Sequence, residues 1–212
     1  TSTRPTRTAA PERAARMAPD RRKQFLIEAA ISCLAKHGMS GFTIANICVE
    51  AGISRGLISH HFKGKDALLV AAYEALTAHL LVPANEAKSS AQPPAAVLSQ
   101  IIEMSFSDSA TERSTLKAWL ALWGETAGND QLSALHRKRY ASYHQGLTTS
   151  ISALAAERGR IVDAGLLATQ LIALIDGLWL EWCLDETQVS AEAATTACKA
   201  LLFPHVGGLS DA

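Results

Sequence analysis

Three features of the 212-residue chain predict an all-α protein in two helical parts. Apolar residues recur at intervals of three and four from Asp20 nearly to the end. No alternating apolar–polar run of four or more residues survives inspection, and Gly or Pro stands where most of the periodic runs stop. An apolar content of 48% is ample for a buried core in a chain of this length.

The elements follow in order. Residues 1–18 are rich in Arg and Thr, show no apolar face and are expected to form a disordered basic tail. From Asp20, Phe25, Ala29 and Cys33 make one helical row and Leu26, Ala30 and Leu34 the next, ending at His37 with Gly38 as the C-terminal cap. Thr43 precedes Ile44, Ile47, Cys48 and Ala51, an N-cap followed by one apolar stripe, and Gly52 stops it. Ser54 then opens a short helix over 54–61 whose inward side is Ile53, Leu57 and Ile58, with Phe62 beyond. A longer helix resumes near Lys65, burying Leu68, Leu69, Ala72, Leu76 and Leu80, and stops near Pro83. The stretch "PANEAKSSAQPPAA" reads as a connection, and helices are expected at about 94–108, 115–128, 130–157, 161–184 and 190–203. The organisation is thus a tail, a three-helix part over 19–64, a larger helical part over 65–205, and a short tail over 206–212.

The formal net charge is zero, but it is unevenly spread. Residues 1–65 hold 11 Lys and Arg against 4 Asp and Glu, and the remainder holds 9 against 16. A basic segment joined to an acidic one fits a protein whose N-terminal part meets a polyanion. Cys33, Cys48, Cys183 and Cys198 form no C-x-x-C pair and sit in helical patterns, so they read as reduced thiols in the cytoplasm. "AGLLATQLIALIDGLWLEWCL" has membrane-spanning length, yet Gln170, Asp176 and Glu181 within it favour the buried helix of a soluble protein with no membrane partner.

"GISRG" at 52–56 matches the G-x-S-x-G spacing of a nucleophilic serine elbow. Such an elbow needs a strand before the serine, whereas "TIANICVEA" has a helical period, so a serine hydrolase built on Ser54 is the weaker reading and no enzyme is expected. Two short helices joined at Gly52 fit a helix-turn-helix instead, whose second helix enters the major groove of double-stranded DNA. Ser54, Arg55, Gly56, Ser59, His60 and His61 are the candidates to face it. Arg55 can donate two hydrogen bonds to a guanine, Gly56 lets the backbone approach closely, and Thr43 and Lys65 begin the flanking helices where phosphates pass. Adjacent His60 and His61 diverge around a helix and do not chelate, so neither metal nor cofactor is expected.

The segment "FTIANICVEAGISRGLISHHFKGKDALLVAAYEAL" resembles the DNA-binding domain of the TetR family of bacterial repressors, and its "GLISHHF" resembles the choline-responsive BetI type. "LIDGLWLEWCL" continues the likeness. Many relatives carry an aromatic residue where Ser59 and His60 stand. The resemblance implies a cytoplasmic homodimer that occupies a palindromic operator and is released by a small-molecule effector, through a helical ligand-binding and dimerisation domain over 65–205. Leu167, Leu171, Leu174, Leu178 and Trp182, spaced four, three, four and four, offer a dimer seam. Trp119, Trp123, Tyr140, Tyr143, Asp176 and Trp179 offer aromatic faces around a carboxylate, a cage for choline or another quaternary ammonium. An apolar effector controlling an efflux or catabolic operon is the alternative.

Overall fold

The computed structural model describes residues 18–78 and 92–209. Ten helices succeed one another there: α1 Pro19–His37, α2 Ile44–Ala51, α3 Arg55–His61, α4 Lys65–Leu76, α5 Pro94–Ser105, α6 Asp108–Thr111, α7 Arg113–Thr126, α8 Asp130–Glu157, α9 Ala164–Leu184 and α10 Ala191–Val206. Among the described residues there is no strand. Nearly all of the expected basic tail, Leu80, the greater part of the Pro83–Ala96 connection and the last three residues lie outside the described residues.

The chain forms two compact units, one comprising the residues up to Leu76 with Lys117–Leu132, the other Thr77–Leu116 with Ser133 onward. The expected boundary after residue 64 moves, because α4 packs on α1 and buries Leu68, Leu69, Ala72 and Tyr73 in the first unit.

Unit one takes its shape from a few local signals. Gly38 ends α1 at φ 60°, its N–H bonding Leu34 O. Thr43 Oγ1 accepts from Asn46 N at 3.2 Å, satisfying one of the unpaired amides that open α2. At the other end Gly52 sits at φ 63°, ψ 38°, with Gly52 N bonding Val49 O and Ile53 N reaching back to Cys48 O. That is a Schellman closure, and a residue with a Cβ is strained there by roughly 1–2 kcal/mol. Leu26, Leu34, Phe42, Ile47, Ile58 and Leu68 are at most 1% exposed, so every one of the first four helices, and the turn before α2, contributes to one core. Each such side chain stabilises the unit by about 1.5–3 kcal/mol. Ser32 Oγ and the Lys36 ammonium both donate to the Glu50 carboxylate, tying α2 to α1 and holding that carboxyl below its usual range.

In unit two, α10 packs on α9 and α5. Leu98, Ile102, Leu147, Ile151, Leu171, Cys198 and Leu202 are fully buried. Two arginines after α8 satisfy the end of α10: Arg158 Nη1 donates to Val206 O at 2.5 Å and Gly208 O at 2.7 Å, and Arg160 Nη1 to Pro204 O at 3.2 Å. All four cysteines are free thiols; Cys33 and Cys198 are buried, and Cys48 and Cys183 half-buried. Among the described residues α9 alone is long and apolar enough to cross a membrane, and here its inner row is core.

That inner row takes up part of the expected dimer seam. Leu167 and Leu171 are 3% and 0% exposed within the single chain, and Leu174, Leu178 and Trp182 are half-buried on the same side of α9. The four-and-three spacing marks the side that packs inward. The outward side exposes Leu166, Ala173, Gly177, Leu180 and Leu184 together with Thr169, Gln170 and Glu181.

Candidate DNA interface and effector site

The helix-turn-helix is formed by α2 and α3 in unit one. Ser54 occupies the N-cap position of α3 at φ −84°, ψ 155°, but its hydroxyl makes no capping bond, so it opens the helix by position alone. The residues before it are helical, and the strand–turn geometry of a serine elbow is absent. Ile58 at 1% and Phe62 at 7% exposure anchor α3 from beneath and fix which side faces outward.

Ser54, Arg55, Gly56, Ser59 and His60 form that outward side, and Thr43 and Lys65 stand exposed at the starts of α2 and α4. A Cβ added at Gly56 would come no closer than 3.9 Å to any neighbour, so nothing in the folded chain requires the missing side chain. Its absence leaves bare backbone on the exposed surface. Ser59 Oγ donates to Arg55 O at 3.1 Å and Gly56 O at 3.3 Å, which spends its proton inside the helix and leaves it as an acceptor. His61 departs from the expected set. It is half-buried, and its Nε2 is enclosed with no hydrogen-bond partner. Burial first, then the positive charges of His60, Arg22 and Lys23, push its pKa down. The His60 and His61 rings meet edge to face at 5.0 Å. No group of three metal-binding side chains occurs among the described residues.

The six proposed cage residues divide between the units. Trp119 and Trp123 are in unit one, where Trp119 is 2% exposed, meets Tyr73 edge-on at 6.0 Å and tilts against Trp123 at 5.7 Å. The Trp119 ring serves the core of that unit, and Trp123 is half-buried beside it. In unit two Tyr140 Oη donates to the two Asp176 oxygens at 3.2 and 3.4 Å. The Tyr143 hydroxyl is buried without a partner, and Trp179 Nε1 donates to Ser105 O at 2.8 Å. Burial raises the Asp176 carboxyl to about 6 against a smaller opposing effect of the Tyr140 bond. Burial and the Asp176 charge raise Tyr143 well above the ordinary phenol. No basic side chain is paired with Asp176 among the described residues.

Beside this carboxylate lies a cavity of about 450 Å³ lined by Tyr140, Ala141 and His144 of α8 and Thr169, Ile172, Ala173 and Asp176 of α9. His144 Nε2 lies 3.1 Å from both Gly165 O and Thr169 Oγ1, and the His136 ring tilts against Tyr140 at 4.1 Å. His136, Tyr140 and His144 recur every fourth residue along α8. That row was readable in the sequence, but sequence reasoning missed both histidines because it followed tryptophans.

Two family models match the chain: "Bacterial regulatory proteins, tetR family" over residues 26–72, and "BetI-type transcriptional repressor, C-terminal" over 94–203. The chain belongs to the TetR family, in its BetI-type branch. An HTH-type transcriptional regulator BetI of Serratia proteamaculans is 36% identical over 185 residues, covering 85% of this chain and 91% of its own. Among solved structures, a putative transcriptional regulator from Pseudomonas aeruginosa PAO1 is 36% identical, with a TM-score of 0.79 over 91% of this chain and 93% of that one. A putative regulator from Saccharomonospora viridis, in complex with choline, shares the fold at 23% identity and a TM-score of 0.72, over 86% and 96%. This TetR-family chain is therefore a DNA-binding transcriptional repressor with a ligand-responsive helical domain, and its curated relatives are transcriptional regulators.

Proposed function

We propose that this repressor holds a near-palindromic operator in the cytoplasm as a homodimer and releases it when a quaternary ammonium such as choline occupies the site beside Asp176. The observation that carries the reading is a half-buried carboxylate with no basic partner, hydrogen-bonded by Tyr140 at the edge of a cavity. Anionic charge in a low-dielectric site is costly unless a cation balances it, and aromatic faces add about 0.5–2 kcal/mol per contact to a cation that cannot donate hydrogen bonds. The choline bound to the Saccharomonospora viridis regulator is consistent with that class. Trp119 and Trp123 support unit one, and Leu167, Leu171, Leu174, Leu178 and Trp182 support unit two.

On the DNA side, Arg55 reads a base edge, Gly56 lets the backbone of α3 close on the groove, and Ser54, Ser59 and His60 add polar contacts. Thr43 and Lys65 meet phosphates. Two-fold pairing sets the two recognition helices about 34–36 Å apart, one turn of duplex. Five of the eight large apolar side chains exposed among the described residues, Ile161, Leu166, Leu180, Leu184 and Phe203, fall on or immediately before α9 and on α10, which supports pairing through that surface. Selecting DNA from a random pool with the purified protein, with and without choline, tests the reading. The expected product is an inverted repeat whose recovery falls with choline. Recovery of no enriched sequence refutes the repressor mechanism, and enrichment indifferent to choline refutes the effector.

A further inference from the structure

We propose that unit one carries a second ligand site, for a linear aliphatic molecule with an ammonium at one end and a carboxylate at the other. Its seat is a cavity of about 400 Å³ between the end of α1 and α7, within the size range of ligand pockets and lined by none of the residues around Asp176.

The walls of this cavity are mostly apolar. Leu34 is 1% exposed, Met39 and Ala121 are half-buried around it, and Leu120 is exposed at the margin. Lys117 and Glu125 also line it, and their separation of eight residues sets them about 12 Å apart along α7. Neither side chain joins an ion pair or a hydrogen bond among the described residues. A cation and an anion two turns apart on an apolar trough are the complement of an ω-amino carboxylate. Each methylene taken out of water raises affinity by about fourfold, and an exposed ion pair by at most about fivefold. The aliphatic chain therefore carries most of the binding, and the two charges choose the molecule. A short zwitterion lacks the chain, and an alkylamine or a fatty acid leaves one charge unmatched.

The site bears on the helix-turn-helix through α1. Leu34 lies between Ser32 and Lys36 in sequence, and those two side chains hold Glu50 of α2. A ligand in the cavity thus grips the helix on which α2 rests. Gly124 stands exposed in the same wall, and a Cβ built there would meet nothing within 4 Å. A larger side chain at that position occupies the trough while Leu116, Trp119 and Leu122 keep the buried side of α7.

The probe is 8-aminooctanoate. Calorimetry on the full-length protein should show one molecule bound per chain, with 4-aminobutyrate weaker by about tenfold or more. Octylamine and octanoate, each lacking one charge, should bind about threefold more weakly. Gly124→Leu is expected to keep its helical circular dichroism and lose at least tenfold in affinity for the probe, whereas Asp176→Asn should bind it as wild type does. Hydrogen exchange followed by mass spectrometry should slow in peptides from α1 and α7 when the probe is bound. Wild type that does not bind 8-aminooctanoate, or a helical Gly124→Leu that binds it normally, overturns the site. Octylamine or octanoate binding as tightly as the probe overturns the ligand class. Exchange unchanged in α1 and α7 overturns the location whether or not the variant folds, and loss of the probe in Asp176→Asn moves it to the cavity beside that carboxylate and removes the second site.

Discussion

Asp176 gives the sharpest test of the effector site. Burial holds its carboxyl at about 6 instead of 3.8, which at 1.36 kcal/mol per pH unit disfavours the anion by about 3 kcal/mol in the folded chain. A quaternary ammonium binds the anion and not the neutral acid. At pH 8 the carboxylate is ionised; at pH 5 only about one molecule in ten is, so choline should bind roughly tenfold more weakly by calorimetry. Because the unliganded folded state takes up the proton more readily than the unfolded one, its stability falls as pH rises from about 4 to 6 and stays lowered above that. Asp176→Asn removes the buried charge while keeping an acceptor for the Tyr140 hydroxyl. At pH 8 without choline it should gain about 1–3 kcal/mol, visible as a melting temperature raised by about 2–4 °C per kcal/mol. The same variant should lose most choline affinity and show no pH dependence from 5 to 8. Wild-type affinity that is flat across that range, or a variant that binds choline normally, refutes the role given to the carboxylate.

Gly56→Ala should raise folded stability by up to about 1 kcal/mol, since the position is open and alanine suits a helix better, yet weaken operator binding in a gel-shift assay; unchanged DNA affinity would show that the backbone of α3 does not close on the groove. Arg55→Ala should relax base preference at one operator position by about 1–3 kcal/mol, whereas Lys65→Ala should weaken all sequences alike and flatten the salt dependence. Ile47→Ala, at a position 0% exposed, should cost about 2–5 kcal/mol in denaturant unfolding; a smaller loss would mean that the α1–α2 core is not packed as described.

The helices were legible because each has a local cause. Thr43, Gly38 and Gly52 act where their chemistry says they should, and the rows Leu26–Ala30–Leu34 and Ile47–Ala51 are buried as their spacing requires. Ser54 was legible as a boundary but not as a capping bond, since a hydroxyl's partner depends on a rotamer that spacing does not encode. His61 shows the same limit: its neighbour His60 is outward, and one step around the helix turns the second ring partly inward beside Arg22 and Lys23. Tyr140 and Asp176, 36 residues apart, were legible as an aromatic face and a carboxylate suited to a cation, and the fold brings them together. The pairing of Trp119 with Tyr73 was not readable, because it depends on unit one taking up the chain from Lys117.

The seam on α9 shows why periodicity alone does not assign an interface. Apolar residues stand on both sides of α9, so two rows satisfy the same spacing rule. Size separates them. The inner row is Leu167, Leu171 and Ile175, large and at most 3% exposed, whereas the outer row alternates large with small, Ala173 and Gly177 between Leu166 and Leu180. Large side chains fill a core that no other group can reach, while small ones let a second backbone come near. Reversing that logic by Gly177→Leu, at a position where a Cβ meets nothing within 4 Å, should leave the monomer's core intact and push the paired helices apart. Dimer dissociation should strengthen about tenfold or more in sedimentation at unchanged helicity. A variant that pairs as tightly as wild type would place the interface elsewhere.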